Sequence, residues 1–272
     1  ICGRLRPKAG QINVCGHDPR THAHSRRCLG LVPQQIALYP HLSVLENLQA
    51  FARLAGVPRS DADARARHSL AQCALETVAN QRVDQLSGGW QRRANIACGV
   101  VHRPQVLVLD EPTVGIDLPA RLDIERLLSR LSDDGMTILL TSHDLEQVER
   151  LADRVGFLIN GLIEPVGPPR RLLDRQFADC YEWRIQLDQT PSSSDIEHLT
   201  ELGLKPEPAA GQLHWCGRVR SDREASDRMQ RMGAIGVREW RVRQPGLDSL
   251  WRELFDDSVS EAMAVDSMGP SN

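Results

Sequence analysis

The stretch that decides the fold is Val106-Leu107-Val108-Leu109-Asp110-Glu111-Pro112-Thr113. Four consecutive apolar residues are typical of a strand that is buried on both faces of a parallel sheet. Carboxylates are costly to bury without a partner, so Asp110 and Glu111 should lie where the strand emerges, at the edge where open α/β sheets bind ligands. We therefore expect Asp110 to hold Mg²⁺ and Glu111 to polarise an attacking water. The alternative is a plain acidic turn after the strand.

Strands and helices alternate on either side of this stretch. The pattern predicts strands at 10–14, 29–32, 137–141 and 155–159, and helices at 121–131 and 145–151. Because strands that alternate with helices form parallel sheets, we predict an α/β fold with a mainly parallel sheet.

The region from 43 to about 100 is predicted to be a helical subdomain. Ser43 is placed to cap a helix whose apolar face includes Leu48, and Pro58 follows the end of that helix. A second helix should begin near Asp61.

A different pattern follows residue 173. An alternating strand at 183–187 and further short strands and helices predict a small α+β domain over 174–256. Residues 257–272 show no pattern, so we predict a disordered tail there.

Composition excludes several classes of protein. The 272 residues carry 33 basic and 36 acidic side chains, a net charge of −3 that argues against a nucleic-acid partner. No apolar run approaches the roughly 18 residues of a transmembrane helix, and the first residues do not resemble a signal peptide. The seven cysteines are scattered along the chain, which predicts reduced thiols in a cytosolic protein.

A second motif lies upstream, at Leu86-Ser87-Gly88-Gly89 before an apolar helix. Ser87 is a good N-cap residue, and glycines allow a backbone to approach a ligand closely. Free N–H groups at a helix N-terminus form an anion site. The alternative is a simple capped helix without a ligand.

The order and spacing of the motifs closely resemble the ATP-binding-cassette (ABC) ATPases, from Ile1 to about residue 173. Besides the two motifs above, Val32-Pro33-Gln34 resembles the glutamine loop of that family, Gly115-Ile116-Asp117 its D-loop, and Thr141-Ser142-His143-Asp144 its switch-histidine loop. The resemblance implies a P-loop NTPase core, an ATPase activity, and ATP and Mg²⁺ as cofactors.

The resemblance also implies a role for each matching residue. Asp110 would coordinate Mg²⁺, Glu111 would act as the general base, and His143 would contact the γ-phosphate. Gln34 would contact Mg²⁺ and the attacking water and couple the site to a membrane partner. The remaining residues would face a second ATPase subunit: Ser87, Gly88 and Gly89 would grip the γ-phosphate of its ATP, and Asp117 would lie across the dimer interface.

Two features depart from the family pattern. The sequence contains only two lysines, Lys8 and Lys205, and no Gly-x-x-x-x-Gly-Lys-[Ser/Thr] phosphate loop. Since that loop lies just ahead of the segment that resembles the first residues here, we expect a chain truncated before Ile1 and inactive as given. The second departure is Trp90, which replaces the usual glutamine of the signature and affects side-chain contacts across the nucleotide.

Three other patterns are interpreted as structural. The cysteines and histidines between Cys15 and Cys28 match no standard zinc spacing, which favours a polar surface loop. Consecutive residues such as Ser142, His143 and Asp144 cannot align as a hydrolase triad. The basic pairs Arg92-Arg93 and Arg170-Arg171 are expected to be solvated.

The function predicted from the sequence is the ATP-binding and ATP-hydrolysing subunit of an ABC transporter at the cytoplasmic face of the membrane. Separate permease subunits would form the transport path, and the short core with an α+β appendage resembles ABC-2 type exporters. Two alternatives stay open at this point. One is a non-transport ABC ATPase, and the other is a regulatory subunit that lacks its own phosphate loop.

Overall fold

The computed structural model describes residues 1–178, 180–207, 211–233 and 235–255. The chain forms two compact units, Ile1–His143 and Asp144–Asn272. This division differs from the domain boundary predicted after residue 173, which stays a prediction. The predicted disordered tail at 257–272 lies outside the described residues.

The first unit alternates helices with the strands of one sheet. Its elements are α1 (Ala23–Arg27), β1 (Leu29–Val32), α2 (Val44–Leu54), α3 (Ala62–Gln72), α4 (Gly88–Val100), β2 (Val106–Asp110), α5 (Leu118–Asp133) and β3 (Thr137–Thr141). The prediction of a strand at 10–14 is wrong. Within this range only Val14 makes a β-type pairing, an isolated bridge with His17.

The sheet of this unit is parallel, as predicted, with the order β1-β2-β3. One face packs on α4 and α5 through a core that contains Leu107 and Leu109. The prediction that the strands are buried on both faces is wrong. On the face of the sheet away from α4 and α5, Leu31 and Leu139 are 51% and 42% exposed. Side chains alternate along a strand, so only every second residue meets the helices of this unit.

The helical region begins with a capping box. The Glu46 backbone N–H donates to Ser43 Oγ at 3.2 Å, and the Ser43 backbone N–H donates to Glu46 Oε2 at 2.8 Å. These bonds satisfy backbone donors at the start of α2. Leu48 and Ala52 then bury the apolar face of this helix.

The described residues of the second unit form two separate sheets. Its elements are α6 (Leu145–Leu151), β4 (Val155–Ile159), β5 (Leu162–Gly167), α7 (Pro169–Phe177), β6 (Tyr181–Leu187), α8 (Ser193–Glu201), β7 (Leu204–Pro206), β8 (His214–Val219), α9 (Asp222–Arg231) and β9 (Val237–Arg243), and residues 247–255 are also helical.

The strand predicted at 155–159 forms, but in an antiparallel hairpin with β5 rather than in a parallel sheet. Asn160 and Gly161 connect the two strands, with φ angles of +50° and +83°. Two left-handed residues give the tight turn that suits a two-residue hairpin, so this local signal outweighs the alternation of helices and strands.

The larger sheet of the second unit is antiparallel, with the order β7-β8-β6-β9. Together with α8 and α9 this is the β-α-β-β-α-β order of ferredoxin-like folds, which gives the predicted α+β appendage its topology. Glu182 of β6 is buried within an arginine cluster: Arg243 Nε donates to it at 2.7 Å and Arg252 Nη2 at 3.1 Å.

No helix in the described parts of the chain combines the length and apolar character needed to cross a membrane.

Candidate active site

Three strands of the first unit deliver polar residues to one edge of the sheet. The register pairs Val32 of β1 with Leu109 of β2, and Asp110 of β2 with Thr141 of β3. Gln34 and His143 each follow their strand by two residues. The carboxyl ends of parallel strands meet at one edge, so Gln34, Asp110, Glu111 and His143 share this end of the sheet.

Thr141 contacts Asp110, the last residue of β2, and Glu111, which follows it. Its Oγ1 donates to Asp110 Oδ1 at 2.6 Å, and its carbonyl oxygen accepts the backbone N–H of Glu111 at 3.2 Å. Sequence reasoning did not assign this residue a role. A hydroxyl residue at the end of the strand that pairs with β2 was the available signal, and it has meaning only once the register is known.

Glu111 and His143 are in direct contact. Glu111 Oε1 lies 2.8 Å from His143 Nδ1, with the glutamate side chain 20% exposed and the imidazole 76% exposed. Glu111 has a φ of +47°, in the left-handed region that non-glycine residues rarely occupy. Such a conformation costs about 1–3 kcal/mol and occurs in tight turns and at functional sites. A carboxylate next to an exposed imidazole can accept and pass on a proton.

The glutamine loop is held from the side by α4. Arg92 Nη1 and Asn95 Nδ2 donate to the Pro33 carbonyl at 3.2 and 3.4 Å, and the Ala37 N–H donates to Asn95 Oδ1 at 3.3 Å. Gln34 itself is exposed between these anchors. The expectation of a solvated Arg92 is wrong: it is 6% exposed, and burial lowers the pKa of its guanidinium.

The signature turn begins α4 without the predicted side-chain cap. Ser87 occupies the N-cap position, but its side chain makes no capping hydrogen bond. Gln91 stabilises the turn instead, because its Nε2 donates to the carbonyls of Val83 and Leu86 at 3.1 and 3.0 Å. Ser87 and Gly88 are exposed, so the helix N-terminus is open to an anion.

The two signature glycines differ in their surroundings. A Cβ on Gly88 would meet nothing within 4 Å, whereas a Cβ on Gly89 would lie 2.6 Å from the Ala120 Cβ of α5. Asp117 caps α5 at the same point, since its side chain accepts the Ala120 N–H at 3.2 Å. The signature and the predicted D-loop residue are therefore neighbours at the N-termini of two helices.

Trp90 joins the same junction. The Arg93 guanidinium lies 4.7 Å from the centre of the Trp90 ring, and Arg93 Nη2 donates to Asp123 of α5 at 2.6 Å. The tryptophan that departs from the family signature thus packs on the arginine that links α4 to α5.

The predicted site residues fall into two groups. Gln34, Asp110, Glu111 and His143 lie at the carboxyl ends of strands, whereas the signature and Asp117 lie at the amino ends of α4 and α5. Over the ranges that the structure describes, no group of three or more histidine, cysteine or acidic side chains is arranged to hold a metal. A carboxylate such as that of Asp110 is nevertheless the ligand type that Mg²⁺ accepts as one of few protein ligands.

Comparison with known proteins gives consistent matches. Residues 1–114 match the family described as ABC transporter. The chain is 37% identical to the linearmycin resistance ATP-binding protein LnrL of Bacillus subtilis over 180 residues. This alignment covers 66% of this chain and 58% of LnrL. It is 41% identical over 226 residues to Nod factor export ATP-binding protein I of Burkholderia orbicola, covering 78% of this chain and 74% of that protein. The chain thus spans about three fifths of the length of LnrL.

Solved structures show the same fold. cbiO1 from Clostridium perfringens, part of the ABC transporter complex cbiONQ, superposes with a TM-score of 0.58 and 26% identity over 64% of this chain and 72% of that one. A dimeric ATP-binding cassette in a post-hydrolysis state, bound to ADP and Pi, superposes with a TM-score of 0.54 and 27% identity. The match covers 62% of this chain and 77% of that one. The α/β architecture predicted from the sequence is confirmed.

Proposed function

The chain belongs to the ABC transporter family of ATP-binding proteins, and from this premise we propose that it is the ATP-hydrolysing subunit of an ABC-2-type exporter. The names of the linearmycin resistance and Nod factor export relatives support export as the direction. The observation that carries the proposal is the Glu111–His143 contact beside Asp110, at the edge where the three parallel strands end.

Each residue at this edge has a distinct task in hydrolysis. Glu111 accepts the proton of the attacking water, and His143 orients the glutamate while its exposed ring contacts the γ-phosphate. Asp110, oriented by Thr141, and Gln34 would hold Mg²⁺ through carboxylate and amide oxygens. The bound ion would neutralise charge on the phosphates. Phosphoryl transfer depends mainly on positioning and charge stabilisation, which this arrangement supplies.

The signature would act on the ATP of a second ATPase subunit. Ser87, Gly88 and Gly89 begin a 13-residue helix whose N-terminus is exposed, and free N–H groups there bind phosphate. Asp117 accepts a hydrogen bond from Ala120, the residue that Gly89 approaches, so Asp117 would contact the same second subunit. The dimeric cassette that this chain resembles is consistent with such an assembly.

A groove of about 470 Å³ supports the proposed permease partner. Apolar side chains of α2, Phe51 and Leu54, line it together with Pro33 of the glutamine loop, and Arg26 and Arg27 contribute positive charge. These surfaces fit an apolar permease segment that carries an acidic residue. On this proposal the subunit lies at the cytoplasmic face of the inner membrane. The permease segment in the groove contacts the glutamine loop, and movement of that loop couples the permease to the ATP site at Gln34.

We also propose that the 272-residue chain alone binds ATP weakly. Within these residues no phosphate loop is present, and the signature serves a neighbour's nucleotide. Titration with a fluorescent ATP analogue in Mg²⁺ tests this, and low-micromolar affinity contradicts it.

The trans role of the signature is tested in a version of the subunit with a phosphate loop ahead of Ile1. We expect Gly88→Asp to fold, because the position is open, and to bind ATP. It should not hydrolyse ATP, since the added carboxylate repels the γ-phosphate of the partner's nucleotide.

Complementation supplies the control. The Gly88→Asp subunit is mixed with a matched subunit in which the phosphate-loop lysine is replaced, and ATPase activity is compared with each alone. The mixture should regain one composite site, from the intact loop of one subunit and the intact signature of the other. Absence of recovery in demonstrated heterodimers refutes the trans role.

A further inference from the structure

A tight turn fixes the position of Cys15. Val14 and His17 exchange backbone hydrogen bonds of 2.9 and 3.2 Å around Cys15 and Gly16. Both residues inside the turn have positive φ, +50° and +88°, which is the conformation of a two-residue hairpin turn. The Cys15 side chain is half-exposed at the tip of this turn.

Cys28 meets the same neighbour, just before β1. Cys15 Sγ donates to Gln105 Oε1 at 3.2 Å, and the Gln105 backbone N–H donates to the Cys28 carbonyl at 3.0 Å. Gln105 therefore joins the Cys15 side chain to the backbone of Cys28. Burial raises the pKa of the Cys28 thiol, and the hydrogen bond and charge interaction with the Cys15 thiol raise it further. Cys28 itself is only 5% exposed.

A histidine lies beside the buried thiol. His24 Nε2 is 3.8 Å from Cys28 Sγ, one helical turn away on α1. A thiol must lose its proton to act as a nucleophile, and this imidazole is placed to accept it.

We propose that Cys15 and Cys28 form a thiol redox site that reacts with peroxides to give an intramolecular disulfide. The half-exposed Cys15 thiolate attacks one oxygen of the peroxide, the O–O bond breaks, and hydroxide leaves with Cys15 as a sulfenic acid. Cys28 then attacks that sulfur as its proton passes to His24, and His24 returns this proton to the sulfenic hydroxyl, which leaves as water. Two electrons move from the two thiols to the peroxide.

The disulfide would tie the turn at Cys15 to the start of β1, the strand that leads to Gln34. Disulfides of this kind in reducing compartments are usually transient and redox-sensing. The site is independent of the proposed ATPase function, because neither cysteine belongs to the groups that would contact nucleotide.

Peptide mapping tests the proposal on the chain itself. The reduced chain is treated with stoichiometric hydrogen peroxide, alkylated in denaturant and digested with trypsin. Trypsin cleaves after Arg20 and Arg27, so a Cys15–Cys28 disulfide joins two separate peptides. We expect this linked pair, reversed by dithiothreitol, to form faster in the native chain than in concentrated urea. Recovery of both cysteines as alkylated thiols or sulfinic acids overturns the proposal, as does equal formation in urea.

Variants assign the steps. Cys28→Ser should leave Cys15 as a sulfenic acid that dimedone captures, and Cys15→Ser should leave Cys28 reduced. His24→Gln should slow disulfide formation without slowing dimedone capture in the Cys28→Ser chain. Cys73 is an internal reference, because burial raises the pKa of its thiol to about 12 and it should stay reduced. Oxidation of Cys28 at an unchanged rate in Cys15→Ser contradicts the mechanism.

Discussion

The two signature glycines should respond very differently to the same substitution. An alanine Cβ at Gly89 would lie 2.6 Å from the Ala120 Cβ, a distance that real Cβ atoms essentially never show, whereas at Gly88 it would meet nothing within 4 Å. Both glycines are in the first turn of α4. We therefore predict that Gly88→Ala is tolerated and that Gly89→Ala destabilises the junction of α4 and α5.

The magnitude follows from two opposing effects. Replacing glycine by alanine in a helix gains up to about 1 kcal/mol through helix propensity, and this gain is similar at the two neighbouring sites. Forcing an extra methyl group into a packed contact costs about 1–3 kcal/mol. Comparing Gly89→Ala with Gly88→Ala cancels the propensity, so the difference in unfolding free energy should be about 1–3 kcal/mol.

Thermal unfolding by circular dichroism measures this difference. At about 2–4 °C per kcal/mol, the Tm of Gly89→Ala should lie several degrees below that of Gly88→Ala. Ala120→Gly removes the opposing methyl group, so the double variant should recover part of the loss.

The double-mutant cycle decides the outcome. Independent sites add within about 0.3–0.5 kcal/mol, so a coupling energy below that range, or equal Tm values for the two alanine variants, refutes the close packing of α4 on α5.

Three further predictions concern the acids. In the subunit with a phosphate loop, Glu111→Gln should keep ATP binding but lower turnover by about 10²–10⁴-fold, the usual effect of losing a general base; near-normal hydrolysis contradicts that role. Thr141→Val should raise the Mg²⁺ concentration for half-maximal ATPase activity by about 10–100-fold, because Asp110 loses its orienting hydroxyl, whereas Thr141→Ser should not. The Tm of the second unit should fall as pH drops below about 4, the ordinary range of glutamate, and Glu182→Gln should flatten that dependence.

The sign of the pH effect follows from the surroundings of Glu182. Burial raises its pKa, but the hydrogen bonds and charges of Arg184 and Arg243 outweigh burial and hold the pKa below its ordinary value. A lowered pKa contributes stability that is present above the unfolded value and lost as pH falls through the folded value. A Tm that rises on acidification contradicts this.

The sequence alone predicted the parallel sheet and the two acids at its edge, and the family resemblance added Gln34 and His143 as candidates. A continuous apolar run ending in Asp110 and Glu111 can be accommodated well only as an inner strand that emerges at a polar edge. Hydrophobic periodicity and capping residues such as Ser43 act within a few residues, so α2 to α5 were also predictable, whereas the short helix α1 (Ala23–Arg27) was not predicted.

Only the tertiary structure decided which partners these residues have. The Thr141 contacts to both acids depend on the register of β2 and β3, and the packing of Gly89 on Ala120 depends on how closely α4 and α5 approach. Arg92 looked like a solvated surface residue because its target, the Pro33 carbonyl, is 59 positions away in the chain. Sequence patterns record which faces are apolar, but contacts between distant residues arise only when those faces pack against each other.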